Sequence, residues 1–170
     1  MGWMFYSRPK GESNREHFQR QFGEGYAIID SATVGGTFYG AIRDPQGNVS
    51  AAVILTRWVP NDEYNFGYKD MSEDMGPNEA NCPGRILDLL TPTESEYANE
   101  WRARCRANLA KRAEAAKVKR GDLVKFERPI TFTNGFVSDT FEFVERNTFR
   151  VWSSRFRITG WRDMNFEVQA

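Results

Sequence analysis

The chain has one histidine and two cysteines among 170 residues, and its net charge is zero. Acyl transfer needs a nucleophile, a base and a group to hold developing charge. With His17 the only imidazole, and neither Ser nor Cys beside it in sequence, packing is its better reading. Cys82 and Cys105 are too few for a disulfide framework or a zinc site of their own. Balanced charge leaves no global field to attract nucleic acid or membranes. The longest apolar run, around residues 53–55, is far too short to cross a bilayer. Gly2 invites a test for myristoylation, but Tyr6 stands where that motif needs Ser or Thr. Gly35-Gly36 lacks the Lys and Ser or Thr of a phosphate loop, and no dinucleotide fingerprint is present. No repeat or low-complexity linker divides the chain. These absences lead to the expectation of a soluble, cytoplasmic, reduced protein that calls for no cofactor, metal or membrane.

Aromatic residues, by contrast, are plentiful: 13 Phe, 6 Tyr and 5 Trp make up 14% of the chain, enough for a well-packed globule. Charge is balanced but segregated. Residues 60–99 hold nine acids and two bases, whereas residues 100–128 hold ten bases and four acids.

The chain reads as an α+β protein. Ser13 and Glu16 form a capping box that opens a short helix over 14–22. A four-stranded antiparallel sheet follows over 26–34, 37–43, 49–59 and 64–70, with turns at Gly35-Gly36, at 44–48 and at Pro60-Asn61-Asp62. An irregular acidic loop ends at Cys82-Pro83, and Arg85 begins a turn or two of helix stopped by Thr91-Pro92. Thr93 and Glu96 make a second capping box, for a long central helix over 94–117. Tyr97, Trp101, Cys105 and Leu109 fall at steps of four along it, as one buried stripe. From Val118 short strands broken at Pro129, Asn134-Gly135, 145–147 and Thr159-Gly160 suggest a small SH3-like β-barrel. The expected domains are therefore 1–117, including the long helix, and 118–170, packed on the first.

Residues 65–106 are the most idiosyncratic stretch. Phe66-Gly67-Tyr68-Lys69-Asp70-Met71, Gly76-Pro77 and the run from Cys82 to Thr93, together with the opening Gly2-Trp3-Met4-Phe5-Tyr6 and the strand at 52–57, resemble a bacterial domain family of unknown function. That family occurs in chromosomes, plasmids and phage-derived islands, and the resemblance covers about residues 1–125. It implies no activity. A mobile-element setting makes an accessory or anti-defence role plausible by association alone.

Candidate chemistry gathers in two places. Tyr68, Lys69, Asp70 and Glu73, with Arg57 and Arg85 as candidate partners, are the polar set an enzyme would use, hydrolytic or nucleic-acid-modifying. Asp70, Glu73, Asp74 and Glu79 match no calcium loop, and a solvated loop or pairing with the basic helix is their simpler reading. Cys82 stands at a helix start, where a thiol pKa can fall, but a buried or capping cysteine explains it as well. The second place is basic: Arg102, Arg106, Lys111, Arg112 and Lys119 on and after the long helix, with Arg155 and Arg157 alternating about Phe156. These would engage a protein or nucleoprotein partner, or grip phosphates directly. Otherwise they solvate the helix or pair with the acids of 60–99. Trp152 and Trp161 are candidates for an aromatic groove, against core filling. The expected function is non-enzymatic binding or adaptor work; an enzyme and a direct nucleic-acid module are the alternatives.

Overall fold

The computed structural model describes residues 2–59 and 64–169. The chain divides into two compact units, Met1–Ala107 and Asn108–Ala170, each with its own antiparallel sheet.

In the first unit, five strands order as β1-β5-β4-β3-β2: β1 (Met4–Tyr6), β2 (Ala27–Val34), β3 (Thr37–Arg43), β4 (Val49–Trp58) and β5 (Phe66–Ser72). The four expected strands gain a fifth, because the opening segment pairs with β5 through Met4–Tyr68 and Tyr6–Phe66. Gly67 makes room for it, since a Cβ there would come within 3.1 Å of the Phe5 ring. The β2–β3 turn needs left-handed backbone twice in succession, and Gly35 and Gly36 supply it at φ 57° and 81°. The turn expected at Pro60-Asn61-Asp62 lies outside the described residues.

Strand β3 lies inside the sheet and is buried on both faces from Thr37 to Ile42. On one face Phe38, Ile42, Ile54, Phe66 and Tyr68 pack with Phe18 of α1 (Asn14–Gln21). The Ser13 capping box fixes that helix: Ser13 Oγ accepts the Glu16 N–H, and Glu16 Oε2 accepts the Ser13 N–H at 2.8 Å. On the other face Tyr39, Ala41 and Val53 are buried with Cys82, Ile86 and Leu87 of the segment containing the short α2 (Gly84–Leu87), and with Trp101 and Cys105 of α3 (Glu96–Ala115). Two backbone anchors pin this layer. The Tyr39 hydroxyl accepts the Asn81 N–H at 3.2 Å, and the Trp101 indole donates to the Glu79 carbonyl at 2.9 Å.

The buried stripe of α3 differs from the one expected. Ala98, Trp101 and Cys105 are fully buried, whereas Tyr97 is 66% exposed. Steps of four overshoot a 3.6-residue turn by about 40° each, so alternating steps of three and four hold one face where repeated fours rotate off it. The cap differs too. Ser95, not Thr93, accepts the Ala98 N–H, at 3.3 Å, while Thr93 Oγ1 accepts the Ser95 N–H.

In the second unit the order is β10-β6-β7-β8-β9: β6 (Leu123–Thr131), β7 (Val137–Glu145), β8 (Thr148–Val151), β9 (Ser154–Arg157) and β10 (Phe166–Gln169). The expected barrel is instead an open ladder among the described residues, with β9 and β10 as its edges. The register shifts between Lys125 and Ile130, where Pro129 removes a donor, so β6 is irregular at its middle. Val124, Phe126, Phe141, Phe149 and Trp161 form the core, and the Trp161 indole donates to the Arg146 carbonyl at 2.8 Å. No helix among the described residues is long and apolar enough to cross a membrane.

Candidate functional site

Tyr68 and Asp70 share a face of β5, but only Asp70 reaches a hollow. Tyr68 lies in the core, stacked on Tyr6 at 5.3 Å between ring centres. Burial pushes its hydroxyl above the ordinary phenol range. Lys69, one residue on, points to the opposite face. Asp70 borders a hollow of about 150 Å³ with Phe22, Tyr26, Ile42, Ser50 and Ser72. Burial raises its carboxyl pKa, opposed by the Met71 N–H. An elevated carboxyl in a hollow is a recognisable general-acid signature. Among the described residues, however, no Lys, Arg or His lines the hollow to hold a developing charge.

The other members of the expected acid–base set are spoken for. Glu73, 1% exposed, starts a 3-10 turn (Glu73–Met75) against β4. Arg102 of α3 grips it with both arms of its fork, Nε to Oε2 at 2.6 Å and Nη2 to Oε1 at 2.7 Å. Glu73 Oε1 also accepts the Ala51 N–H, and the remaining arm of Arg102 donates to the Thr91 carbonyl at 2.7 Å. All three guanidinium nitrogens of Arg102 and both carboxylate oxygens of Glu73 thus hold a partner inside the unit, and removing one of the two residues would cost about 3–5 kcal/mol. Arg85 pairs with Asp30 and donates to the Ser31 carbonyl. Arg57 lies 4.1 Å over the Trp3 ring and 5.3 Å from Phe5. Neither arginine converges on Asp70.

The thiols are equally withdrawn. Cys82 and Cys105 are fully buried and free. Burial pushes Cys105 up to about 11 and raises Cys82 further still, so at Cys82 desolvation outweighs whatever four residues of helix contribute.

The basic set divides into engaged and free. Besides Arg102, Arg106 pairs with Asp88 at 3.1 Å and Arg112 with Asp163 at 2.9 Å. Arg104 donates to the Pro77 carbonyl. Lys111 borders a hollow with Glu127, Arg128 and Asp163 in the second unit, and Lys119 is exposed. Arg155 and Arg157 are exposed on β9, with no carboxylate in ion-pair reach among the described residues. Arg155 stands across from Arg150, which Glu142 holds, and Arg157 stands across from Thr148.

The two candidate groove tryptophans part company. Trp161 is buried in the core of the second unit, whereas Trp152 is 88% exposed. Val151 pairs with Ser154, which leaves Trp152-Ser153 as a two-residue turn, and Trp152 takes φ 51° there. A large apolar side chain, held in a left-handed conformation and turned out to water, costs on both counts. Sequence reasoning placed Trp152 beside Trp161 because composition does not separate a turn tip from a core. The signal that could have separated them is its place between Val151 and two serines, with Arg150 and Arg155 on either side.

The hairpin lies within the stretch that the family comparison recognises. A family model described as a domain of unknown function (DUF6927) matches residues 92–162. The match runs from the start of α3 through β9 into the 3-10 turn (Trp161–Asp163), and so covers less than half of the chain. It agrees with the expectation of a domain family without assigned function, but residues 1–91, which hold nearly all of the motifs that carried the resemblance, lie outside it. No curated protein and no solved structure matches the chain.

Proposed function

We propose that this protein is a non-enzymatic binding or adaptor protein, and that it meets its partner through the β8–β9 hairpin. The observation that carries the reading is Trp152: exposed, left-handed in backbone, and followed on the adjoining strand by two arginines without acidic partners. Trp and Arg are the residues that dominate binding hot spots. The dispersal of Tyr68, Asp70, Glu73 and Arg85 supports it from the other side, because acid–base work needs those groups together.

The wider charge pattern is consistent. Residues 108–170 hold twelve Lys and Arg against eight Asp and Glu, whereas residues 1–107 hold eleven against fifteen. A partner with an acidic face suits the second unit. The strand order, with the last strand beside the first, also suits a small SH3-like arrangement left open between β9 and β10. A cytoplasmic setting is part of the proposal, and the two free thiols support it. Within this class, an accessory or anti-defence factor of a mobile element is the setting that the family resemblance favours.

The test is affinity capture from bacterial lysate with and without nuclease, comparing the wild-type protein with the variant Trp152→Ala, Arg155→Ala, Arg157→Ala. The three side chains are exposed, so the fold should survive, which circular dichroism checks. A protein retained by the wild type and lost by the variant is the expected result. Retention of identical material by both, or of nucleic acid that disappears with nuclease, would overturn the assignment.

A further inference from the structure

Strand β9 is an edge, and its backbone phase is fixed. Val151 and Ser154 close the two-residue turn, and Ile158 N–H bonds to the Asn147 carbonyl at 2.9 Å. Residues 154, 156 and 158 therefore face β8. By antiparallel alternation, Arg155 and Arg157 turn their N–H and C=O groups to the free edge. Their side chains stand on one face of the strand, opposite Phe156. Phe156 lies 4.6 Å from both Phe132 and Phe136, and all three rings are only partly buried. The edge thus offers two main-chain sites unpaired among the described residues, a basic outer face and an apolar inner face.

Building on the binding function proposed above, we infer that β9 accepts an extended acidic peptide segment of a partner protein as a sixth strand. The occupant is specified by charge and by pleat. Its outward residues are Asp or Glu, facing Arg155 and Arg157, and its inward residues are apolar, meeting Phe132, Phe136 and Phe156. A second copy of β9 is a poor occupant, because pairing would set arginine against arginine. Edge arginines alone are a familiar defence against unwanted pairing. Trp152 next to them works against such a defence, and it fits a strand that recruits a chosen partner.

The probe is the capped heptapeptide Val-Glu-Val-Glu-Val-Glu-Val, titrated into the full-length nitrogen-15-labelled protein at low salt. The Arg155 and Arg157 amide resonances should shift, and their hydrogen exchange should slow. Proline separates strand addition from simple charge attraction. Arg157→Pro removes an outward N–H that β8 does not use, a position where edge strands tolerate proline. Arg157→Gln removes only the charge. Affinity should fall about tenfold for Arg157→Pro and about threefold for Arg157→Gln, with Arg155→Pro as a second variant should the first fold poorly. Equal losses for Pro and Gln, unmoved Arg155 and Arg157 amides, or no binding would each overturn strand addition. So would displacement of the peptide by a short oligothymidylate with those amides unprotected. If capture still depends on Trp152 while the peptide leaves the β9 amides untouched, the binding function stands and only strand addition falls.

Discussion

At the scale of single residues, the one histidine of the chain, His17, is buried. It is 3% exposed, with Nδ1 3.3 Å from Glu12 Oε2 and the rings of Tyr6, Phe18, Phe66 and Tyr68 around it. Burial lowers its pKa, outweighing the carboxylate of Glu12, while Arg8 and Arg20 push the same way as burial. The folded imidazole thus binds its proton less readily than the unfolded one, which titrates near 6.5. Stability from neutral His17 is complete above that pH and is lost as pH falls below it, toward the lower folded value. The thermal midpoint of the wild type should therefore drop between pH 7 and pH 5, and His17→Phe should flatten that limb. Glu12, itself held below 4.5 by Arg20, contributes only in more acid solution. A wild-type midpoint unchanged over this interval would contradict the buried neutral imidazole. The packing role of His17 was legible from its isolation in the sequence. The roles of Glu73 and Arg102 were not: they lie 29 positions apart, and nothing local marks one carboxylate among its neighbours as the buried one.

At the scale of elements, turn chemistry read well and faces read less well. Ser13 with Glu16, Gly35-Gly36 and Asn134-Gly135 each act over three residues or fewer, so their signals are complete in the sequence. The fifth strand of the first sheet was hidden, because Met4–Tyr6 becomes a strand only through pairing with a segment some sixty residues away. The cap of α3 was displaced by two positions. Ser95 and Thr93 are both good caps, and the choice depends on where the preceding Thr91-Pro92 leads the chain. Ser95→Ala should lower stability by about 1 kcal/mol in urea unfolding, and Thr93→Ala by clearly less. The reverse ranking would restore the Thr93 box.

At the scale of the whole molecule, two units of opposite net charge follow one another along the chain, and each has exposed tryptophans of its own. In the first unit these are Trp3 and Trp58, with Arg57 stacked on Trp3. In the second it is Trp152. The α+β class of the chain and the short strands of the second unit were legible from strand and turn spacing, whereas the open ladder of the second sheet rests on long-range pairing that spacing does not encode. The five tryptophans make the decisive measurement simple, since each gives one indole N–H signal in a nitrogen-15 correlation spectrum. With the captured partner added, the account predicts that the Trp152 indole shifts or broadens while those of Trp101 and Trp161 stay in place. Movement confined to Trp3 and Trp58, with Trp152 unperturbed, would contradict it and move recognition to the first unit.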